Sequence, residues 1–232
     1  MSETNSAKIV IAPNGPYLVS GALPVTLETI VPNDTGNSWE WQTGRAIEAG
    51  ERYALCRCGA SDKKPFCDGT HARNGFDGTE TASRAPFAEQ AVSIDGPGMV
   101  LQDADALCGF ARFCDAGDTI WKSIERADEA GVRELVIREA THCPSGRLVL
   151  RDAPSGTAYE PDFAPSIGLV EDPAKNCSGP LYVRGGVAVY SADGSTYEAR
   201  NRVTLCRCGK SSNKPFCDGS HVEAAFVDGL GG

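Results

Sequence analysis

Histidine is scarce in this chain, with three in 232 residues, and methionine and tryptophan number only two and three. Acid–base catalysis built on histidine therefore has few places to sit. Lys and Arg number 22 against 31 Asp and Glu, a formal charge of −9 that disfavours general nucleic-acid binding. No stretch is long and apolar enough to span a membrane, and the opening Met-Ser-Glu-Thr-Asn-Ser has no signal-peptide character. P-loop, dinucleotide fingerprint and catalytic-triad patterns are missing too, so the expectation is that the protein is not an enzyme. Cysteine, by contrast, is plentiful, at ten residues. Without a secretory signal, that number points to metal ligation in a reducing, cytoplasmic setting rather than to disulfides.

The cysteines are organised by an internal repeat. Residues 55–71 read L-C-R-C-G-A-S-D-K-K-P-F-C-D-G-T-H, and residues 205–221 match them at 13 of 17 positions without a gap. Each copy carries three cysteines and a histidine: Cys56, Cys58, Cys67 and His71, then Cys206, Cys208, Cys217 and His221. Three thiolates and an imidazole form a four-ligand metal set, which zinc also accepts. The C-x-C pair is closer than the usual zinc-finger spacing. At a strand end, residues two apart share a face, so such a pair can chelate one iron while Cys67 and His71 hold a second. A 2Fe–2S cluster takes four protein ligands, two per iron, with histidine able to replace cysteine.

The pattern C-x-C-x2-S-x3-P-x-C-D-G-(S/T)-H, matched at every fixed position in both copies, resembles the signature of the CDGSH-type iron–sulfur proteins. The resemblance implies a 2Fe–2S cluster in each copy, with the C-x-C pair on one iron and the later Cys and His on the other. The anchored members of that family carry a membrane helix that this chain lacks, and single-motif members pair as dimers. Two motifs in one chain are therefore expected to pair internally about a pseudo-two-fold axis, giving a monomer. Ser61 and Ser211 read either as hydrogen-bond donors to sulfur or as turn serines. Asp68 and Asp218 stand where a helix N-cap is expected. Gly59, Gly69, Gly209 and Gly219 let the backbone fold close around a cluster. Pro65 and Pro215 restrict the turn, and Phe66 and Phe216 read as core or shielding residues. Arg57, Lys63, Lys64, Arg207, Lys210 and Lys214 make the motif neighbourhoods basic on an acidic chain, which would favour a reduced cluster.

The expected fold is α+β, with two small β-rich units at 1–84 and 166–232 around a middle segment at 85–165. Gly15-Pro16-Tyr17-Leu18-Val19 resembles Gly179-Pro180-Leu181-Tyr182-Val183, which extends the repeat. The spacing to the motif is 14 residues longer in the first copy, in the stretch 32–50. Strands are expected over 8–12 and 25–31, with a hairpin at Asp193-Gly194. In the middle, a helix capped by Asp118 runs toward Gly131 and a second carries Val132, Leu135, Val136 and Ala140, followed by a strand over 148–150. Cys108 and Cys114, with the C-P-S-G-x-L run from Cys143 to Leu148, resemble a divergent single-cluster ferredoxin-like domain. Its ligand set looks incomplete, with His142 and Cys177 as the candidates for a fourth position. The expectation is therefore inert thiols and no third cluster.

These readings lead to an iron–sulfur protein that carries single electrons or stores and delivers clusters, with a redox or cluster-acceptor protein as partner. A histidine ligand is lost on protonation, so such a cluster is easier to release than an all-cysteine one. The alternatives are a zinc-stabilised interaction module and a sensor that acts through cluster loss.

Overall fold

A computed structural model describes residues 7–231, so the reading of the opening six residues lies outside them. The first half of the chain contributes β1 (Lys8–Ile11), β2 (Tyr17–Ser20), β3 (Val25–Pro32), β4 (Ser38–Ile47) and β5 (Arg52–Leu55). The middle contributes α1 (Phe87–Gln90), β6 (Val92–Gly96), β7 (Met99–Asp103), α2 (Ile120–Ser123), α3 (Val132–His142) and β8 (Leu148–Asp152). The last part contributes β9 (Ser166–Asp172), β10 (Cys177–Arg184), β11 (Ala188–Tyr190), β12 (Arg202–Leu205) and α4 (Ser220–Glu223). The architecture is α+β, as the repeat and the helical middle imply.

The outer halves exchange strands. One sheet runs β11-β1-β2-β5 and the other β12-β10-β9-β3-β4. β11, from the second half, lies parallel to β1, with Lys8 opposite Ala188. β3, from the first half, lies parallel to β9, with Val25 opposite Ile167. The first half thus lends the β3–β4 pair to the second and receives β11 in return. Burial favours the exchange: Val25 and Leu27 face the core shared with the opposite half, and Ile30, on the other face, packs with Ala111, Phe113, Val170 and Tyr182. The two sheets share one core, from Ile9, Tyr17 and Leu27 to Leu181, Val189 and Leu205. Glu28 on β3, fully buried, pairs with Arg184 on β10 at 2.8 Å, which sets the register across the halves. The extra residues of the first copy form β4, an edge strand with mostly polar, solvent-facing side chains.

The middle region is a β6-β7-β8 antiparallel sheet packed on α2 and α3, with Met99, Leu101, Ile124, Val136 and Leu150 in a separate core. Asp118 does not cap α2 as expected. Thr119 occupies the cap position, and the Asp118 carboxylate accepts from the amide of Thr119 and pairs with Lys122 at 3.4 Å. The second helix matches its periodicity, burying Val136 and Ala140, but it also buries Glu139. The hairpin at Asp193-Gly194 forms, closed by a bridge between Tyr190 and Thr196.

One side chain fastens the middle to the second half. Arg202, at the start of β12, is buried. It donates to the carbonyls of Ala140, Thr141 and Cys143 at the end of α3 and pairs with Glu160 at 2.6 Å. Its counterpart in the first half, Arg52, is exposed. The cysteine loop after β12 is therefore braced on the middle region, whereas the loop after β5 is not braced through this position.

Candidate metal centres

In each motif a short strand delivers the first cysteine and a turn returns the chain against it. The Cys56 amide donates to Pro65 O at 2.8 Å and the Cys67 amide to Ala54 O at 2.9 Å. Cys206 and Cys217 repeat this with Pro215 and Thr204, at the same distances. The Lys64-Pro65 and Lys214-Pro215 peptide bonds are both cis. Phe66 and Phe216 face inward and meet Tyr53 and Tyr197 edge-on, as core residues do.

The donors fall into pairs of chelating geometry. Cys56 and Cys58 sulfurs are 3.8 Å apart, and Cys206 and Cys208 sulfurs 3.7 Å. The Cys67 sulfur is 3.3 Å from His71 Nδ1, and the Cys217 sulfur 3.4 Å from His221 Nδ1. A tetrahedral metal with bonds of about 2.3 Å holds its sulfurs about 3.75 Å apart, so each pair fits one metal atom. Among the described residues, no three His, Cys, Asp or Glu side chains close on a single ion, and the donors stand as pairs.

The motifs meet each other. Cys58 and Cys208 form an antiparallel bridge at the centre of the molecule. The approach is so close that a Cβ on Gly59 would stand 2.5 Å from the Cys208 carbonyl oxygen, and one on Gly209 2.6 Å from that of Cys58. Both glycines have positive φ, near 76° and 77°, and the contact is reciprocal, as a pseudo-two-fold axis requires. These two glycines therefore serve the contact between motifs. Tyr17 adds a further link, its hydroxyl donating to Cys206 O at 2.7 Å.

The small polar residues of the motif brace the loop. Ser61 and Ser211 donate to the carbonyls of Phe66 and Phe216 at 2.6 and 2.7 Å and accept from the amides of Lys63 and Asn213. They act as turn serines and not as donors to sulfur. Asp68 and Asp218 do not occupy the cap position, which Gly69 and Gly219 take. Each instead accepts two backbone amides, from Asp62 and Thr70 or from Ser212 and Ser220. Arg57 and Arg207 are not solvated surface charge, being only 1% and 3% exposed. Sequence reasoning missed this burial, although a signal was present. An aromatic and a Asp-Gly pair follow each motif, Phe76-Asp77-Gly78 and Phe226-Val227-Asp228-Gly229, and both phenylalanines lie 5.6 Å from an arginine.

The two donor sets differ in exposure. Cys206, Cys208, Cys217 and His221 are all buried, whereas Cys58, Cys67 and His71 are partly open. Burial pushes the Cys217 thiol up and lowers His221 to about 4. The Cys206–Cys208 contact drives one thiol down and the other up, the pair sharing a proton. A bound metal cation resolves this frustration, since it stabilises buried thiolates and neutral imidazole together. The donor set therefore fits an iron–sulfur group.

In the middle region Cys108, Cys114 and Cys143 line one cavity with Arg147. Burial, then the neighbouring Cys143 and Cys108, pushes Cys114 up to about 12. The two candidates for a fourth ligand lie elsewhere. His142 is committed to Arg138 O at 2.9 Å and stacks on Phe113, and Cys177 faces Asp172 at the start of β10.

Residues 14–72 and 178–222 match the family of iron-binding zinc fingers of CDGSH type. The chain is thus an iron–sulfur protein with two CDGSH-type regions. Between its CDGSH regions, residues 94–153 match a divergent 4Fe-4S mono-cluster family. No curated protein and no solved structure matches the tandem chain. Among its described residues no helix is long and apolar enough to cross a membrane.

Proposed function

We propose that this tandem CDGSH protein carries single electrons between two 2Fe–2S clusters and a partner redox protein, and is not an enzyme. Cys56 and Cys58 hold one iron of the first cluster and Cys67 and His71 the other. Cys206 and Cys208, then Cys217 and His221, do the same in the second. The observation that carries this reading is the Cys58–Cys208 bridge, which sets the two donor sets back to back in one chain. Such a cluster supplies a one-electron store with no atom transfer. The protein's part is to hold the pairs at chelating distance and to exclude water, most fully around the second set. Because the pairing is internal, the working unit is a monomer.

A second reading, cluster delivery, is favoured at the first motif alone by the partial exposure of Cys58, Cys67 and His71. The convergence of Cys108, Cys114 and Cys143 on one cavity favours a third centre with three thiolate ligands, against the expectation of inert thiols.

The test is quantification of iron, sulfide and zinc with absorption and spin-resonance spectra of the purified protein. The two outer motifs should contribute about four irons and four sulfides per chain, with visible bands bleached by dithionite. A colourless protein holding zinc would replace this reading by the interaction module. Iron above four that is lost when Cys108, Cys114 and Cys143 become serine would establish the third centre, and no iron above four would remove it.

A further inference from the structure

The two CDGSH regions repeat each other in nearly every contact a bound cluster would feel. Gly69 and Gly219 amides lie 3.4 Å from the Cys67 and Cys217 sulfurs. Lys64 and Lys214 ammonium groups are each tied to a serine carbonyl at 2.6 Å. Such matched contacts cancel when the two sites are compared. What does not cancel is the surroundings of the arginine between the paired cysteines, since the other unmatched charges, Asp172 and Arg112 beside His221, neutralise each other at 2.6 Å.

Arg207 is neutralised twice. It contacts the Asp228 carboxylate, whose side chain is wholly buried, and lies 3.0 Å from Glu171. Arg57 forms no ion pair among the described residues. Its partners are the carbonyls of Ala12 and Gly78 and the faces of Tyr17 and Phe76, and its Nε has no partner. The cause is legible in the sequence. Val227 lengthens the second copy by one residue, so that Asp228 turns inward onto arginine, whereas Asp77 faces solvent and accepts from Thr79. The formal balance is +1 around Arg57 and −1 around Arg207 with its two carboxylates. Burial raises the protonation tendency of Glu171, and with that carboxyl neutral the balance around Arg207 rises to zero, which remains below the +1 around Arg57.

We infer that the two centres are electrically unequal, the N-terminal one being the stronger electron acceptor; this rests on the two-cluster reading above. A cluster with three thiolates and a neutral histidine carries formal charge −1 when oxidised, and reduction makes it −2. A buried acidic pair beside the C-terminal set opposes that added charge, and so does the fuller burial of its four ligands. At the N-terminal set a bare guanidinium and partial hydration favour it. Arg57 also faces Tyr17, whose hydroxyl reaches Cys206 O, so its charge raises both centres. The ordering rests on Asp228, Glu171 and burial. In a singly reduced molecule the C-terminal centre gives up one electron and the N-terminal centre gains it, with no bond or proton changing place.

The test is a dithionite titration of the full-length holoprotein at set potentials, followed by absorption and spin resonance. Two one-electron waves are expected, separated by at least a tenfold difference in equilibrium constant, about 59 mV. His71→Cys should shift and spectrally alter the upper wave and His221→Cys the lower, which assigns them. Asp228→Asn should raise the lower wave and narrow the gap, and Arg57→Met should lower the upper wave. If one arginine or aspartate variant does not fold, the other suffices. Coincident waves, an upper wave that follows His221→Cys, or a lower wave indifferent to Asp228→Asn would overturn the inference while leaving two clusters in place. A colourless zinc protein would overturn the two-cluster reading beneath it.

Discussion

The two halves of this protein share a motif almost letter for letter, and their cysteine loops fold with the same hydrogen bonds, yet they sit in different environments. After β12 the loop is braced by Arg202 on the end of α3, its arginine is saturated with carboxylates, and all four of its candidate ligands are buried. The loop after β5 follows an exposed arginine and leaves its histidine partly open. A motif repeated in sequence therefore specifies the candidate ligands of a site but not the burial and charge around them. Those depend on what the rest of the chain packs against it.

The largest test of this comparison removes a ligand. Cys67→Ser and Cys217→Ser should each cost one centre, about two irons per chain. The denaturation midpoint should fall further for Cys217→Ser, because buried thiols are left without a metal. Equal losses of stability would mean that burial does not distinguish the halves.

Next in size is the brace itself. Arg202→Met removes a buried donor from three helix-end carbonyls and breaks the ion pair with Glu160, which keeps only Asn201, and should destabilise the protein by about 3–5 kcal/mol in urea titration. The same change at the equivalent Arg52 should cost under about 0.5 kcal/mol. Comparable costs would show that the middle region anchors neither half preferentially.

The helix held by that brace brings a pH dependence. Glu139 is fully buried, accepts from the Ala116 amide at 3.0 Å, and is pushed up to about 7 by burial. A carboxyl raised in the folded state binds its proton more tightly there than when unfolded. Its contribution is thus complete below about pH 4.5 and is lost as pH rises through about 7, by roughly 3 kcal/mol. Glu139→Gln should flatten the stability profile across that window, and a profile unchanged by the substitution would remove Glu139 as its source.

The smallest effect should be the same in both halves. Ser61→Ala and Ser211→Ala each lose a hydroxyl bond to a carbonyl and the acceptor of one loop amide, at about 1–2 kcal/mol, and neither should move a reduction potential, because neither hydroxyl points at sulfur. A shift in potential on either substitution would restore the sulfur-donor role that the geometry assigns away.

Much of this was open to reading in one dimension. Ligand pairs, the tight turn, the strand before each C-x-C and the helix ending at Cys143 follow from local pattern, since chelation and turn chemistry act over a few residues. Other features were not open in this way. Asp118 misses its cap by one position, and the motif aspartates grip loop amides one residue ahead of the helix, because a cap depends on backbone angles that residue type only biases. The arginines read as part of a basic neighbourhood, but nothing local says that Gly78 or Asp228 will fold back over them.

By itself, then, the sequence determined the candidate donor atoms, their grouping in two repeats, and the separate middle region with three further cysteines. Only the tertiary structure decided that β3 and β11 change sides, that Cys58 meets Cys208, that Cys108, Cys114 and Cys143 share a cavity without Cys177, and that one arginine is neutralised and the other is not. The division has a physical reason. Ligand chemistry and turn geometry are short-range and written in neighbouring residues, whereas burial and electrostatic environment come from segments more than a hundred residues apart that meet only in the packed core.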